Sequence, residues 1–370
     1  MRKCFFTTVM LIVSLNLIAQ KKPLDHTVYD SWQSIGERMI SNDGKIVVYT
    51  VTPQEGDATL VIQQNNGNKI LEVPRGYAAQ ISENGQFVVF KIKPTFQQTR
   101  EAKIKKKKAD EMPKDSLGIV SIENIKLDKI ARVKSFKLPE SNNSWLAWLY
   151  EKPENAKNRD EEEGTQMVLR NLNIAVADTF QKVTEYVFDK KGKNLLFEVT
   201  NNKKESLRSA IIWLKIEAIV FDTLATNFGD AKGYSFDEEG TQLAYVATDD
   251  TGKIEQKNYS LYHFTKALNK TTLSNASNGI PFNWRINENG IISFSKLGKN
   301  LFFGTGPKFI PKDTSLPEFD RVNVDVWHYN DDDLQPTQLK NVDADVKRSY
   351  LAKLDINNNQ IVQIANEKFP

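Results

Sequence analysis

One pattern of polar and apolar positions returns along the chain: a polar turn that contains a glycine, followed at once by an apolar run. It occurs in ISNDGKIVVYT, ISENGQFVVFK, YVFDKKGKNLLFEVT, YSFDEEGTQLAYVAT and ISFSKLGKNLFFGTG, which begin at Ile40, Ile81, Tyr186, Tyr234 and Ile292. The turn glycines are separated by 41, 107, 48 and 58 residues and are Gly44, Gly85, Gly192, Gly240 and Gly298. Asn, Asp and Gly tolerate positive φ and close tight turns between antiparallel strands. The pattern therefore predicts a repeated β-unit.

Short alternating or apolar runs between these turns leave room for four strands in each unit. The segment SNNSWLAWLYEKP from Ser141 supplies a degenerate copy inside the long interval, with the strand but without the glycine. Four-stranded units of roughly 40 to 50 residues are typical of β-propeller blades. We expect an all-β, incomplete β-propeller with about six visible blades, at 28–76, 77–139, 140–183, 184–228, 229–277 and 278–367. Two ordinary β-sandwiches would not explain the returning phrase.

Outside the N-terminal segment, no helical periodicity of useful length is expected. Two insertions interrupt the repeated units. The first, REAKIKKKKADEMPKDSLG, carries the run from Lys105 to Lys108. The run could form a patch for an acidic partner, but a charge run beside a proline is typical of a solvated loop between two strands. The second contains Pro307, Pro311 and Pro317, which indicate an irregular excursion.

The first twenty residues, MRKCFFTTVMLIVSLNLIAQ, have the layout of a secretory signal peptide. Arg2 and Lys3 precede an apolar run from Phe5 to Ile18, which is shorter than the roughly 20 residues that span a bilayer. We therefore expect cleavage near Ala19 or Gln20, no stable membrane anchor, and a mature chain 21–370 exported to the periplasm or the medium.

Cysteine content and charge narrow the functional classes. Cys4 is the only cysteine, so the mature chain can form neither a disulfide framework nor a thiolate site. With 50 basic and 47 acidic side chains, the net charge of +3 does not favour a nucleic-acid partner.

Candidate chemistry is sparse, and we expect no catalytic, cofactor-binding or metal-ligating residue. GYSFD, around Ser235, lacks the second glycine of a G-x-S-x-G nucleophile elbow. His26, His263 and His328 share no metal-ligand spacing. The acidic clusters RDEEEG from Arg159 and NDDD from Asn330 could attract calcium or an amine, but they lack the spaced oxygen ligands of a calcium loop and favour solvated turns.

Five segments together carry a family resemblance: DHTVYDSW, ISNDGKIVVYTV, KIKKKKADEMPKDSLG, WLAWLYEKP and VDVWHYNDDDLQPTQ. They resemble the N-terminal propeller region of exported, Bacteroidetes-type serine peptidases of the prolyl oligopeptidase family, most specifically from Val324 to Gln338. The resemblance covers essentially the whole mature chain. It implies a C-terminal α/β-hydrolase domain with a Ser-Asp-His triad, and a propeller that restricts entry to short peptides.

The chain departs from this family by ending at ANEKFP, before the propeller should close and before any hydrolase domain. The triad has no positions here, and RDEEEG lacks the aromatic context of the glutamate pair with which dipeptidyl peptidases hold a substrate amine. We therefore expect this chain to be the non-catalytic propeller portion of a secreted peptidase, encoded by a truncated or split gene or given as an incomplete sequence. We expect it to be inactive alone and to meet peptide substrates through the missing domain.

The alternative is a stand-alone periplasmic propeller that acts as a binding module. An unclosed ring would leave the strands from Ile35 to Val51 and the hairpin from Tyr350 without partners. We therefore expect association into oligomers through these open edges.

Overall fold

The computed structural model describes residues 26–141, 144–153, 163–174, 176–201, 208–252, 256–309, 317–321 and 324–369. The expected signal peptide and residues 159–162 of the first acidic cluster lie outside the described residues.

The described strands all belong to antiparallel sheets, in which neighbours along the chain pair with each other. The first contains β1 (Gln33–Ile40), β2 (Ile46–Pro53), β3 (Thr59–Gln64) and β4 (Lys69–Pro74). The second contains β5 (Gly76–Ile81), β6 (Phe87–Ile92), β7 (Ser116–Ser121) and β8 (Lys126–Ala131). The next contains β9 (Val133–Lys137), β10 (Trp145–Tyr150), β11 (Thr165–Asn171), β12 (Ala177–Phe188), β13 (Asn194–Thr200), β14 (Ser209–Lys215) and β15 (Val220–Thr226).

Two further sheets complete the described strands. One contains β16 (Asp230–Phe236), β17 (Gln242–Thr248), β18 (Ser260–Thr265) and β19 (Lys270–Leu273). The other contains β20 (Trp284–Ile286), β21 (Ser293–Phe294), β22 (Asn300–Pro307), β23 (Tyr350–Asp355) and β24 (Gln360–Gln363). In the last sheet, β20 and β21 both pair with β22, so they act together as one interrupted first strand.

The seven-stranded sheet is two blades joined by a shared strand. The first half of β12 pairs with β11, its second half pairs with β13, and the register shifts just after Val183. The described chain therefore forms six four-stranded blades, of which blades 2 to 6 line one central cavity, and the predicted β-propeller is confirmed.

The border between blades 2 and 3 lies earlier than expected. The sequence suggested a border at 139/140, but β9 (Val133–Lys137) pairs with β10 and is the first strand of blade 3. Because blade 3 lacks the turn glycine, only its second strand, WLAWLY, could be recognised from the repeat.

Helices are present where none was expected. They are α1 (Phe96–Ile104) in the Lys-rich insertion and α2 (Gln335–Val346) in the second insertion, with short 3-10 helices at His26–Ser31 and Glu318–Asp320. Only Ala102 of α1 is buried, and no residue of α2 is. An apolar periodicity could not reveal helices that bury so little. In the described residues, no helix is both long enough and apolar enough to cross a membrane.

Apolar clusters fill the contacts between consecutive blades. Five clusters lie between blades 1 and 2, 2 and 3, 3 and 4, 4 and 5, and 5 and 6. Among the described residues, no such cluster joins blade 6 to blade 1. Ile35 and Ile40 on blade 1 and Leu351 and Val362 on blade 6 are exposed. These residues lie in the two segments predicted to be open, Ile35 to Val51 and the hairpin from Tyr350, although each strand is paired within its own blade.

Candidate functional site

Five blades carry the same turn between their first and second strands. The residue after the first strand accepts, on its side-chain oxygen, a hydrogen bond from the backbone N–H five residues later. These N···O distances are 2.8 to 3.0 Å in the pairs Ser41–Ile46, Ser82–Phe87, Asp189–Asn194, Asp237–Gln242 and Ser295–Asn300. The turn glycine has φ between +61° and +71° in each, a region that residues with a Cβ rarely adopt. This geometry explains the phrase that repeats in the sequence.

Side-chain amides join neighbouring turns. Asn194 Nδ2 donates to the Gly240 carbonyl at 3.0 Å, and Gln242 Nε2 donates to the Gly298 carbonyl at 2.9 Å. Asn194 is buried, and its Oδ1 accepts a 2.9 Å hydrogen bond from Trp213 Nε1. We call this amide-to-glycine contact the turn joint. A buried polar group left unpaired is costly, so each joint fixes one blade relative to the next.

A carboxylate lies beneath the first of these joints. Burial raises the pKa of Asp189, while hydrogen bonds from the backbone and side chain of Asn194 act in the opposite direction. Asp189 Oδ2 accepts from Asn194 Nδ2 at 3.0 Å. This contact orients the amide toward the neighbouring blade.

A cavity of about 450 Å³ lies at the propeller axis, enclosed by the first strands of blades 2 to 6 and by the turns that follow them. Phe188, Phe236 and Phe294, each the last residue of a first strand, contribute to its wall. Its volume falls within the roughly 300–1,000 Å³ of small-ligand pockets. The cavity therefore has room for a small ligand.

Charges of both signs line the same cavity: Lys137, Glu140, Lys190, Glu238 and Lys296. Lys190 Nζ lies 2.7 Å from Glu238 Oε1 and 3.7 Å from Glu140 Oε2. Their hydrogen bond raises the pKa of Lys190 and lowers that of Glu238, so both are charged at neutral pH. Because the pair is half-buried and remains in contact with solvent, it contributes little net stability. The adjacent Lys191 and Glu239 form a second ion pair and do not line the cavity.

Glu198 is a partly buried carboxylate that contacts a cavity-lining residue, Tyr234. Tyr234 lines the cavity and donates its hydroxyl to Glu198 Oε2 at 2.7 Å, while Thr200 donates to Glu198 Oε1 at 3.3 Å. Burial raises the pKa of Glu198 above its ordinary value of 4.5. Burial, reinforced by Glu198, raises the pKa of Tyr234. The Tyr234 hydroxyl is therefore a permanent donor that holds its ring in the wall.

The serine and histidines singled out from the sequence do not form one centre. Ser235 lies on β16 and lines the cavity, but no histidine of the described residues does. His263 is buried on β18 with Nε2 2.8 Å from Gln242 Oε1, and burial lowers its pKa. His26 and His328 are exposed. Within the described ranges, no group of three His, Cys, Asp or Glu side chains could hold a metal ion.

The charged clusters lie on the surface where the structure describes them. Lys105 to Lys108 follow α1, between β6 and β7 of blade 2, and are exposed, as expected. Asn330 to Asp333 are exposed in the segment before α2.

The cavity residues were missed in the sequence, although a signal was present. FDKKG, FDEEG and FSKLG place a phenylalanine at the same position before the turn, where Ile40, Ile81 and Leu138 stand in blades 1 to 3. Leu138 and the three phenylalanines line the cavity, whereas Ile40 and Ile81 do not. The charged residues Lys190, Glu238 and Lys296 of the lining stand two positions after these phenylalanines.

Comparison with known proteins gives no family assignment. No protein-family model and no curated protein matches the chain. Among solved structures, the chain is similar to the β-propeller domain of the trilobed protease from Pyrococcus furiosus, with 11% identity and a TM-score of 0.41, covering 90% of this chain and 86% of that one.

Two other similar structures differ in activity. The acylaminoacyl peptidase of Pyrococcus horikoshii has 9% identity and a TM-score of 0.42, with coverage of 93% of this chain and 48% of that one. An oligogalacturonate lyase in complex with manganese has 13% identity and a TM-score of 0.42, with coverage of 74% and 73%. The chain thus spans about half the length of the acylaminoacyl peptidase. With identities of 9–13% and TM-scores of 0.41–0.42, these similarities fix no activity for this chain.

Proposed function

We propose that this chain is the non-catalytic propeller portion of an exported serine peptidase of the prolyl oligopeptidase family. In this proposal the axial cavity positions short peptides for a hydrolase domain elsewhere in the complete protein. The observation that carries it is the cavity itself, which combines a phenylalanine wall with cations and anions. The family resemblance of the segment from Val324 to Gln338 supports the same function.

The cavity chemistry suits peptides in particular. A peptide has an apolar or aromatic side chain, a backbone with donors and acceptors, and a terminal ammonium or carboxylate group. Phe188, Phe236 and Phe294 offer apolar contacts, while Lys190 and Glu238 offer one charge of each sign. A short peptide can therefore satisfy both the wall and the lining charges.

Adjacent residues provide a matched test of peptide binding. Fluorescent proline-containing pentapeptides would be titrated into the chain and followed by anisotropy. We expect Lys190→Ala and Glu238→Gln to change affinity at least about threefold, the scale of a screened charge contact. Lys191→Ala and Glu239→Gln alter the neighbouring ion pair outside the cavity and serve as controls. An absence of saturable binding, or equal effects of the two sets, would contradict the proposal.

Catalysis is assigned to the complete polypeptide and not to residues 21–370. We expect these residues to hydrolyse neither peptidyl nor aminoacyl ester substrates and to resist labelling by a fluorophosphonate. A G-x-S-x-G elbow encoded after Pro370 would support the peptidase. A stop codon at that point would favour the stand-alone binding module, and stoichiometric labelling of any serine in this chain would refute the assignment.

A further inference from the structure

The turn of blade 6 leaves a hydroxyl donor unused. The corresponding serines of blades 1 and 2 donate their own hydroxyls to a side-chain oxygen two residues later, at 2.6 and 2.9 Å in the pairs Ser41–Asp43 and Ser82–Asn84. Ser295 opens the turn of blade 6 and accepts from the Asn300 N–H in the same way as these serines accept from theirs. The residue two positions after Ser295 is Leu297, whose side chain cannot accept a hydrogen bond. Among the described residues, the Ser295 hydroxyl therefore has no acceptor.

Blades 4 and 5 have carboxylates at this position. Asp189 and Asp237 accept the backbone N–H groups of their own turns and, as carboxylates, have no proton to donate. Of the five described turns with this geometry, the turn of blade 6 is thus the one with a hydroxyl donor to spare. Ser295 also lines the axial cavity. The unused donor therefore belongs to a residue of the cavity wall.

The next residue, Lys296, is a lining cation without a contacting counter-ion. Lys137 Nζ lies 3.0 Å from Glu185 Oε1, and Lys190 Nζ is paired with Glu238. Lys296 lines the cavity and is exposed, and in the described part of the chain it forms no ion pair. The hydrogen bond from Lys190 and, at longer range, the charge of Lys296 lower the pKa of Glu238. Two adjacent residues of one turn therefore offer an ammonium and a hydroxyl to the cavity.

The carboxylates of the lining, in contrast, already have donors. Asp189 and Asp237 are held by their turns, and Glu238 and Glu140 both lie within 4 Å of Lys190 Nζ, at 2.7 and 3.7 Å. A ligand ammonium would have to compete with a donor that is already in place. A ligand anion would meet donors that have no acceptor. The lining therefore favours an anionic group at the blade 6 side of the cavity.

The two donors stand on a fixed backbone. The Gly298 N–H donates to the Ser295 carbonyl at 2.8 Å, and the Gly298 carbonyl accepts from Gln242 Nε2 in the turn joint between blades 5 and 6. Gln242 Oε1 lies 2.8 Å from His263 Nε2, which holds the amide in this orientation. Phe294, directly before Ser295, lines the same cavity. A ligand therefore meets a turn that needs little rearrangement on binding.

We propose that Lys296 and the Ser295 hydroxyl bind the free C-terminal carboxylate of a short peptide, and that Phe294 contacts the side chain of its last residue. This inference rests on the proposed function and names its ligand class: peptides with a free carboxyl end and an apolar final residue.

The chemistry of a carboxylate matches both donors. It has two oxygens that only accept, so one can take the Lys296 ammonium while the other takes the Ser295 hydroxyl. A C-terminal amide has one oxygen, no charge, and an NH₂ group that would itself need an acceptor. The same peptide should therefore bind more weakly as an amide than as a free acid.

Peptides that differ only at the carboxyl end test the ligand class. Pentapeptides that end in phenylalanine and carry a fluorophore at the N-terminus would be prepared as free acids and as C-terminal amides, then titrated into the chain and followed by anisotropy. We expect the amides to bind at least about fivefold more weakly, the scale of one charge-assisted hydrogen bond close to solvent. Equal affinities of acid and amide would overturn this inference and leave the proposed function standing. An absence of saturable binding by either form would overturn both.

Substitutions in one turn test the assigned residues. Lys296→Met should abolish the preference for the acid, whereas Lys299→Met, at an exposed position of the same turn outside the cavity, should preserve it. Leu297→Asn gives Ser295 the acceptor that Asn84 gives Ser82, so it should reduce the preference without altering either donor. All three positions are exposed, and the urea midpoints should stay those of the parent. A preference for the acid that survives Lys296→Met, or that Lys299→Met removes equally, would refute the assignment.

Discussion

The turn glycines permit a graded test of the contacts between blades. Gly44, Gly298 and Gly240 have φ of +71°, +65° and +67°, so replacement by alanine imposes the same backbone strain at each position. What differs is the surrounding space. A Cβ at Gly44 meets nothing within 4 Å, one at Gly298 meets the end of the Gln242 side chain, and one at Gly240 meets the Asp189 carboxylate.

The expected losses of stability follow from these differences. A left-handed backbone costs a residue with a Cβ roughly 1–2 kcal/mol, and this is the whole cost expected for Gly44→Ala. Gly298→Ala should cost slightly more, because the flexible end of Gln242 can move. Gly240→Ala should cost about 3–6 kcal/mol, since overpacking adds roughly 1–3 kcal/mol and loss of the hydrogen bond from Asn194 adds about 1 kcal/mol to the backbone strain.

Urea unfolding of the three variants, followed by tryptophan fluorescence and by circular dichroism, measures these differences. Coincident transitions would justify the comparison of free energies of unfolding. We expect the order Gly44→Ala, Gly298→Ala, Gly240→Ala from least to most destabilised. An equal loss for Gly44→Ala and Gly240→Ala would refute the conclusion that a preceding blade covers one turn and not the other.

Three further predictions follow from burial and exposure. Because burial raises the pKa of Glu198, the folded chain binds the proton of this carboxyl more tightly than the unfolded chain does. The stabilisation of the fold by this protonation is full below pH 4.5 and is lost as the pH rises through the folded pKa. Glu198→Gln should therefore gain stability relative to the parent between pH 4 and pH 7, measured by urea unfolding; a constant difference would contradict this. Limited trypsin digestion should cut first at Lys105 to Lys108, whereas early cuts spread over the strands would argue against the blade assignment. Sedimentation of residues 21–370 should show concentration-dependent association through the exposed faces around Ile35 and Leu351, and a monomer at high concentration would exclude it.

The repeated turn made the blade architecture predictable, because it is a local feature. The side chain that accepts the backbone hydrogen bond, the glycine with positive φ and the apolar strand that follows all lie within a short stretch of chain. Blade 3 uses LPESNNS at the corresponding point and offers no glycine. Its first strand, β9, was therefore assigned to the wrong blade.

The helices show a second limit of periodicity. Helix α1 packs only Ala102 into the protein, so its sequence has no apolar stripe. It does have a capping box, in which Thr95 accepts from the Gln98 N–H at 3.1 Å and Gln98 reaches back to the Thr95 N–H. The T-F-Q-Q stretch could have predicted the start of this helix.

The axial cavity could be predicted only in part. The apolar residue before the turn lines the cavity in blades 3 to 6 but not in blades 1 and 2, because its position relative to the axis depends on how the blades stack. The ion pair between Lys190 and Glu238 connects two blades, and these residues are 48 positions apart in the sequence. No local pattern contains that information.

The strand β12 gives the propeller an uneven cooperativity. In repeat proteins each unit contacts only its neighbours, so the ends open at a lower free energy than the middle and the chain can unravel unit by unit. β12 runs without interruption from the edge of blade 3 to the axis of blade 4. Opening either blade would break the pairing that the same strand gives to the other. Blades 3 and 4 should therefore open together, and last, after the ring has unwound from both ends toward them.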